Sequence, residues 1–165
     1  MISSKMESAL NKQMNNEFFS AYLYFSMAAA SVGMGFKGIA NWFTVQAKEE
    51  TAHGMKFYKY LLDHSARVTL AAIPAPPDGY ASVLAMFESA LAHEQKVTKG
   101  IRDLADLAAS EKDYATSIQL QWFITEQVEE EANATEIIQK MKMIEGSKGG
   151  LFMIDHELGK RTFSA

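Results

Sequence analysis

Along most of the chain, apolar residues recur every three or four positions, the spacing of a helix with one buried face. The first such stretch runs from about Ser4 to Ser31, with Leu10, Met14, Ala21, Tyr24 and Ala28 in register, and Gly33 and Gly35 close it. The second starts near Phe36 and carries Trp42, Phe43, Ala47, Phe57, Tyr60 and Leu61 to about His64. After Gly79 a third begins near Ser82, with Leu84, Phe87, Leu91, Ile101 and Leu104 on one side. A polar break, Ser110-Glu111-Lys112-Asp113, separates it from a fourth, which runs from about Asp113 to Ile144 through Leu120, Phe123, Ile124, Ala134, Ile138 and Met141. Gly146 and the pair Gly149-Gly150 stop that helix. A short apolar segment, Leu151 to Leu158, follows as a fifth element.

The connections set the topology. Short joins between the first and second helices, and between the third and fourth, make antiparallel neighbours. Between the second and third lies Ser65 to Tyr80, where Pro74, Pro76 and Pro77 exclude a helix. Extended, that segment reaches roughly 50 Å at about 3.3 Å per residue. A helix of about 28 residues is only about 42 Å long. The segment can therefore travel the length of a bundle and make the second and third helices parallel. Two separate hairpins on a disordered linker are the alternative, but neither hairpin alone buries its apolar stripe well. The expected fold class is all-α: a four-helix bundle with one long crossover and a short fifth C-terminal helix.

A length of 165 residues and a mass of 18.3 kDa suit a single domain spanning 1–165. With 48% hydrophobic and 22% charged residues the chain is globular in composition, not disordered. The formal charge of −4 argues against a nucleic-acid partner, which calls for a basic face. Zero Cys excludes disulfides, thiolate catalysis, zinc fingers and iron–sulfur clusters together. Met1 to Glu7 has no apolar signal-peptide core. Phe18 to Phe36 is uncharged, but Ser20, Ser26, Ser31, Gly33 and Gly35 interrupt it, which suits a buried helix better than a membrane span. No membrane partner is expected, and the location expected is cytoplasmic.

The informative residues are acids set among apolar ones. Seven residues bring a helix almost back to the same direction. Glu94 therefore shares a face with Phe87, Leu91 and Ile101, and Glu17 with Leu10, Met14, Ala21 and Tyr24. Glu50 lies with Phe43, Ala47 and Phe57, and His53 is its neighbour three residues on. Gln127 and Glu130 are also three apart, beside Phe123, Ile124 and Ala134. One such Glu is ordinarily hydrogen-bonded or half exposed. Four, one per long helix, with no Lys or Arg on the same stripes, ask for another counter-charge, because an unpaired buried carboxylate costs on the order of several kcal/mol or stays protonated. Two divalent cations match the four charges of Glu17, Glu50, Glu94 and Glu130. Oxygen ligands with one imidazole suit Fe(II), Mn(II) or Zn(II), and iron is the one with redox chemistry toward dioxygen. Glu49, Glu126 and Glu129 sit at the edge of the stripe and offer a third, looser metal position, while Glu131 reads as a solvated residue. Tyr24, seven residues after Glu17, can reach the same place.

Glu17, the Glu50-Thr51-Ala52-His53 motif, Glu94 and the run Gln121 to Glu131 together resemble the prokaryotic non-haem ferritins, over essentially the whole chain. The resemblance implies a ferritin-like bundle and a ferroxidase centre. Two Fe(II) ions would bind at Glu17, Glu50, His53, Glu94 and Glu130, with Gln127 nearby and Glu50 bridging. It implies a third iron site at Glu49, Glu126, Glu129 and Glu130, oxidation by dioxygen, and a mineral of Fe(III) inside a homo-oligomeric shell of 24 subunits. Tyr24 and Trp122 match aromatic residues close to the centre; Trp122 reads as packing.

Departures from sister families discriminate further. Bacterioferritins carry a second Glu-x-x-His on the fourth helix, where this chain has Gln127 and Glu130, and a haem-ligating Met where it has Thr51, so no haem is expected. Rubrerythrin-like peroxidases need a Cys-bound iron. Dps-type proteins build their site between subunits, which leaves Glu17, Glu94 and Glu130 unexplained. Of the other histidines, His64 suits a role at a helix C-terminus, His93 the surface or an interface, and His156 solvent or a pore. From the residues alone two other classes stay open: a metal-dependent oxygenase or di-manganese enzyme on the same bundle, and a purely structural helical protein.

Overall fold

The computed structural model describes residues 2–163 and contains five helices and no strand among them. They are α1 (Ser4–Gly33), α2 (Lys37–Asp63), α3 (Val83–Glu111), α4 (Tyr114–Met143) and α5 (Lys148–Leu158). Four of the five begin at a residue whose side chain accepts from the first turn: Ser3 from the Met6 amide, Ser82 from Ala85, Asp113 from Thr116 and Ser147 from Gly150. Left-handed residues close the turns, with φ of +90° at Gly35 and +80° at Gly146. His64 caps the C-terminus of α2, its Nδ1 lying 3.0 Å from the Tyr60 carbonyl.

One boundary departs from the expectation. Helix α5 starts at Lys148, so Gly149 and Gly150 lie in its first turn instead of in a break. First-turn amides need no partner within the helix, and Ser147 caps them from outside. Gly150 also sits so close to the Ile144 side chain that a Cβ there would collide with it.

The crossover follows α1 in a ladder of hydrogen bonds. Glu7 accepts from the Arg67 amide. Asn11 donates to the Arg67 carbonyl and accepts from the Thr69 amide. Asn15 donates to the Thr69 carbonyl and accepts from the Ala71 amide. Ser26 then donates to the Pro77 carbonyl. These rungs, four residues apart at first, lead the extended chain from the beginning of α1 toward its end, a rise of about 28 Å at 1.5 Å per residue. The chain leaving α2 near Glu7 thus enters α3 near the far end of α1, and α2 and α3 run parallel.

Between the four long helices the apolar core falls into two clusters. One gathers Leu23, Tyr24, Met27, Ile39, Trp42, Phe43, Met86, Phe87, Ile137, Ile138 and Met141. The other gathers Met6, Leu10, Met14, Phe57, Leu61, Val97, Ile101, Leu104, Leu120 and Phe123. On every long helix the residues between the two sets include a buried acid: Glu17, Glu50, Glu94 and Glu130. The core is interrupted at mid-height by a polar layer.

Helix α2 lacks a capping side chain of its own, since Phe36 precedes it. The cap comes from α5: Asp155 Oδ1 accepts from the Ile39 amide at 2.8 Å. Gly38 makes the approach feasible, because a Cβ there would run into the Asp155 carbonyl. Replacing Asp155 by Ala should therefore cost about 1 kcal/mol, as for an ordinary N-cap. The expected readout is a lower thermal midpoint with faster amide exchange in the first turn of α2, whereas Asp155→Asn, which keeps an oxygen acceptor, should retain most of the stability.

Candidate metal centre

The polar layer is built by residues one or two turns apart on each helix, so that the 3.6-residue repeat aims them at the bundle axis. Glu17 and Glu50 are each 1% exposed, Glu94 1%, His53 4% and Glu130 5%. Glu17, Glu50 and His53 can each place one ligand atom within 4.8 Å of the others. His53 Nδ1 is 3.4 Å from Glu50 Oε2. A second group that meets the same limit is His53, Glu126 and Glu130, with His53 Nε2 3.9 Å from Glu126 Oε1. The two ring nitrogens of His53 thus face two different acids, Glu50 and Glu126.

Most of these acids are held by one neutral donor per oxygen. Gln13 Nε2 donates to Glu17 Oε1 at 2.8 Å. Gln46 Nε2 donates to Glu130 Oε2 at 2.5 Å. Gln127 Nε2 donates to Glu94 Oε2 at 3.1 Å, and the Tyr24 hydroxyl donates to Glu94 Oε1. Tyr24 thus reaches the site, as its spacing suggested, and its partner is a glutamate. Amide and phenol donors orient a carboxylate without neutralising it. Three atoms receive nothing: Glu17 Oε2 and both oxygens of Glu50 are buried without a hydrogen-bond partner. Buried acceptors in native proteins are almost always satisfied, so this vacancy of donors marks a place for cations. Oxygen donors with one imidazole and no sulfur fit a divalent first-row metal such as iron.

Electrostatics point the same way. Burial pushes Glu17 up to about 7, with the hydrogen bond from Gln13 pulling against it and the charge of Glu94 adding to it. Burial, then the charge of Glu94, pushes Glu130 up to about 8. Glu50 stands well above the usual carboxylate range through burial first and then Glu94, Glu17 and Glu130. Glu94 is raised by burial, with Tyr24 and Gln127 pulling it back. Burial, and after it the ammonium of Lys56, lowers His53 to about 4, which leaves a neutral imidazole free to ligate.

Glu49, Glu126, His53, Glu129, Glu130 and Arg161 line an open groove of about 410 Å³ beside the centre. Glu49 and Glu126 are half-buried and Glu129 is exposed. Burial raises both Glu49 and Glu126. Trp122, 40% exposed, sets its ring edge-on to His53 at 5.3 Å, in keeping with packing.

Some neighbours were not foreseen. Gln13 and Gln46 each lie four residues before a buried acid, Glu17 and Glu50, and that place on the stripe was the signal available for them; Arg161 carries no periodic signal that would single it out. His93, expected at the surface or an interface, is half-buried against α1: Ser20 Oγ is 2.7 Å from its Nε2, and Phe19 packs on the ring. Glu131, expected in solvent, is half-buried between α3 and α4, where it accepts from Thr98 Oγ1 at 2.5 Å. Thr98 in turn accepts from Gln127, so one face of α4 ties Glu131 to the layer.

Comparison with known proteins agrees with this geometry. A family model described as ferritin-like domain matches residues 7–144. A bacterial non-heme ferritin of Staphylococcus aureus is 42% identical over 163 residues, covering 99% of this chain and 98% of that protein. Its counterpart in Staphylococcus saprophyticus is also 42% identical over the same shares. An open-pore ferritin of the archaeon Archaeoglobus fulgidus superposes with a TM-score of 0.97 at 46% identity, covering 98% of each chain. A humanized archaeal ferritin superposes with a TM-score of 0.99 at 44% identity, over 100% of both chains. Matched along nearly its full length, in helices and in identity well above what fold alone requires, this chain belongs to the ferritin family, alongside the non-haem ferritins of prokaryotes.

Proposed function

We propose that the protein is an iron-storage ferritin with ferroxidase activity, acting as a single domain in the cytoplasm. Its substrates are Fe(II) and dioxygen, and its product is Fe(III) mineral inside a shell of 24 copies. The observation that carries this reading is the set of unpartnered buried oxygens on Glu17 and Glu50 beside a neutral His53. A structural bundle would fill that layer with apolar side chains, which is often the more stable choice.

In this reading Glu50 bridges two iron ions, since neither of its oxygens has another duty. Glu17 and His53 complete one position, and Glu94 and Glu130 the other. Gln127 spends its amide hydrogens on Glu94 and Thr98, so only its carbonyl oxygen can ligate; a neutral ligand in place of an ionic one weakens the second position. Tyr24 and the three glutamines fix the carboxylate oxygens so that little reorganisation is needed when iron arrives. The apolar clusters above and below exclude water, and each Fe(II) gives one electron to dioxygen. Glu49, Glu126, Glu129 and Glu130 take a third ion at the groove. No haem is bound, and neither nucleic acid nor a membrane is a partner; no described helix is long and apolar enough to cross a membrane.

Glu17→Ala and Glu130→Ala should assemble normally but oxidise Fe(II) at least about ten-fold more slowly, the scale of losses seen when metal sites are disturbed. Oxygen consumption during Fe(II) addition, with iron retained per shell, measures this; parental rates in both variants would remove the ligand assignment. Size-exclusion chromatography should show a particle near 440 kDa, 24 times 18.3 kDa. A monomer or dimer would favour a small-molecule enzyme on the same bundle.

The raised carboxylates also predict how stability without metal depends on pH. Glu17 at about 7 and Glu130 at about 8 hold protons that an unfolded chain, near 4.5, would release. Metal-free protein should therefore grow more stable as pH falls from above 8. Below 6.5 the trend should flatten or reverse, because His53 and His93, both lowered to about 4, refuse protons that the unfolded chain accepts. Zn(II) at saturation should flatten the slope between about pH 7 and 8.5, since ligated carboxylates no longer hold the extra protons. Calorimetry of chelator-treated and Zn(II)-loaded protein checks both trends.

A further inference from the structure

The C-terminal segment after α5 returns over the acidic groove. Asn41 Nδ2 donates to the carbonyls of Gly159 and Arg161, at 3.4 and 2.9 Å. From that anchor the Arg161 side chain, 21% exposed, reaches two residues of α2 at once. Its Nη1 donates to Gln46 Oε1 at 2.6 Å and its Nη2 to Glu49 Oε2 at 2.5 Å. The guanidinium lies 4.6 Å above the ring of Trp42. Among the described residues, Arg161 is the one Arg or Lys that forms an ion pair with an acid of the centre or its groove.

We propose that Arg161 is a tethered cation that occupies Glu49 until metal fills the groove, and that it sets the polarity of Gln46 and so the position of Glu130. The proposal rests on the third iron position given under the proposed function. Two chemical constraints support it. First, a guanidinium only donates, so the Gln46 oxygen must face Arg161, and the Gln46 amide hydrogens are left to face Glu130 Oε2. Without Arg161 the amide is free to turn and present an oxygen to a carboxylate. Second, a divalent ion on Glu49 Oε2 would stand against the guanidinium already bonded to that oxygen, and like charges at such range repel strongly. One of the two must leave. The segment can yield, because past Leu158 it is not helical and its backbone is held by Asn41 and a few turn hydrogen bonds. Metal in the groove thus releases the C-terminal segment, and the lost Arg161 contact loosens Glu130 on the side facing the groove.

The test uses the assembled full chain and Zn(II), which is redox-inert and so reports binding apart from oxidation. Calorimetric titration of the parent should resolve a weakest class of site, and Arg161→Gln should tighten that class by about ten-fold, the effect of removing one competing cation. Glu49→Gln combined with Arg161→Gln should abolish the gain. A second readout needs no change at Arg161. The chain has two Trp, so Trp122→Phe leaves Trp42 as sole reporter. Its emission should shift as the weakest site fills, when the guanidinium leaves the ring, and should not shift in that step once Arg161→Gln is added. An unchanged weak-site affinity in Arg161→Gln, or a silent Trp42 through that step in the otherwise parental chain, overturns the proposal while leaving the ferroxidase reading intact. A parent that takes up no Zn(II) overturns both. If Arg161→Gln fails to assemble, the Trp42 response decides alone.

Discussion

Four carboxylates meet in the middle of a helical bundle, and the rest of the structure is arranged around that fact. Charge repels charge at short range in a medium of low polarity, and water is kept away by apolar clusters on both sides. The protein does not answer with lysines or arginines inside the layer. It answers with three amides and a phenol, which hold individual oxygens in place while leaving the net charge intact. Such an arrangement is a poor way to stabilise a fold and a good way to attract cations. The two apolar clusters, one on each side, carry the stability that the layer itself does not supply.

Geometry follows from the same constraint. Glutamates from four different helices converge only if the helices keep fixed register along the axis. The crossover contributes to that register through Glu7, Asn11 and Asn15, which bind its backbone at successive turns of α1. Ordered in this way, the longest connection of the chain acts as a brace, not as a slack loop. Glu17 on α1 and Glu94 on α3 then meet from antiparallel helices of different hairpins, although the chain between them includes that whole brace.

Much of this was legible in the sequence, for physical reasons that can be named. Few glycines and prolines let the 3.6-residue period run unbroken, so the four long helices emerged with ends within a few residues. An acid seven residues from an aromatic or aliphatic neighbour on both sides, as Glu94 is from Phe87 and Ile101, declares its own burial. What stayed hidden depends on partners far away in the chain. Gln46 meets Arg161 across 115 residues, and Asp155 meets Ile39 across 116, contacts that no local period encodes. Glu131 was misplaced because a helix wheel gives direction but not which neighbour fills it. The start of α5 was set too late because two glycines look like a break until Ser147 is seen to cap them.

The cap that α5 gives to α2 binds the two ends of the chain's architecture to one another. The Ile39 amide that Asp155 satisfies belongs to the same helix that carries Gln46, Glu49, Glu50 and His53. The segment that follows α5 also brings in the arginine over the groove. Loss of the final helix, by proteolytic clipping for instance, would therefore uncap α2 and strip a cation from the mouth of the site in a single event. The tail is less an appendage than a latch on the chemistry.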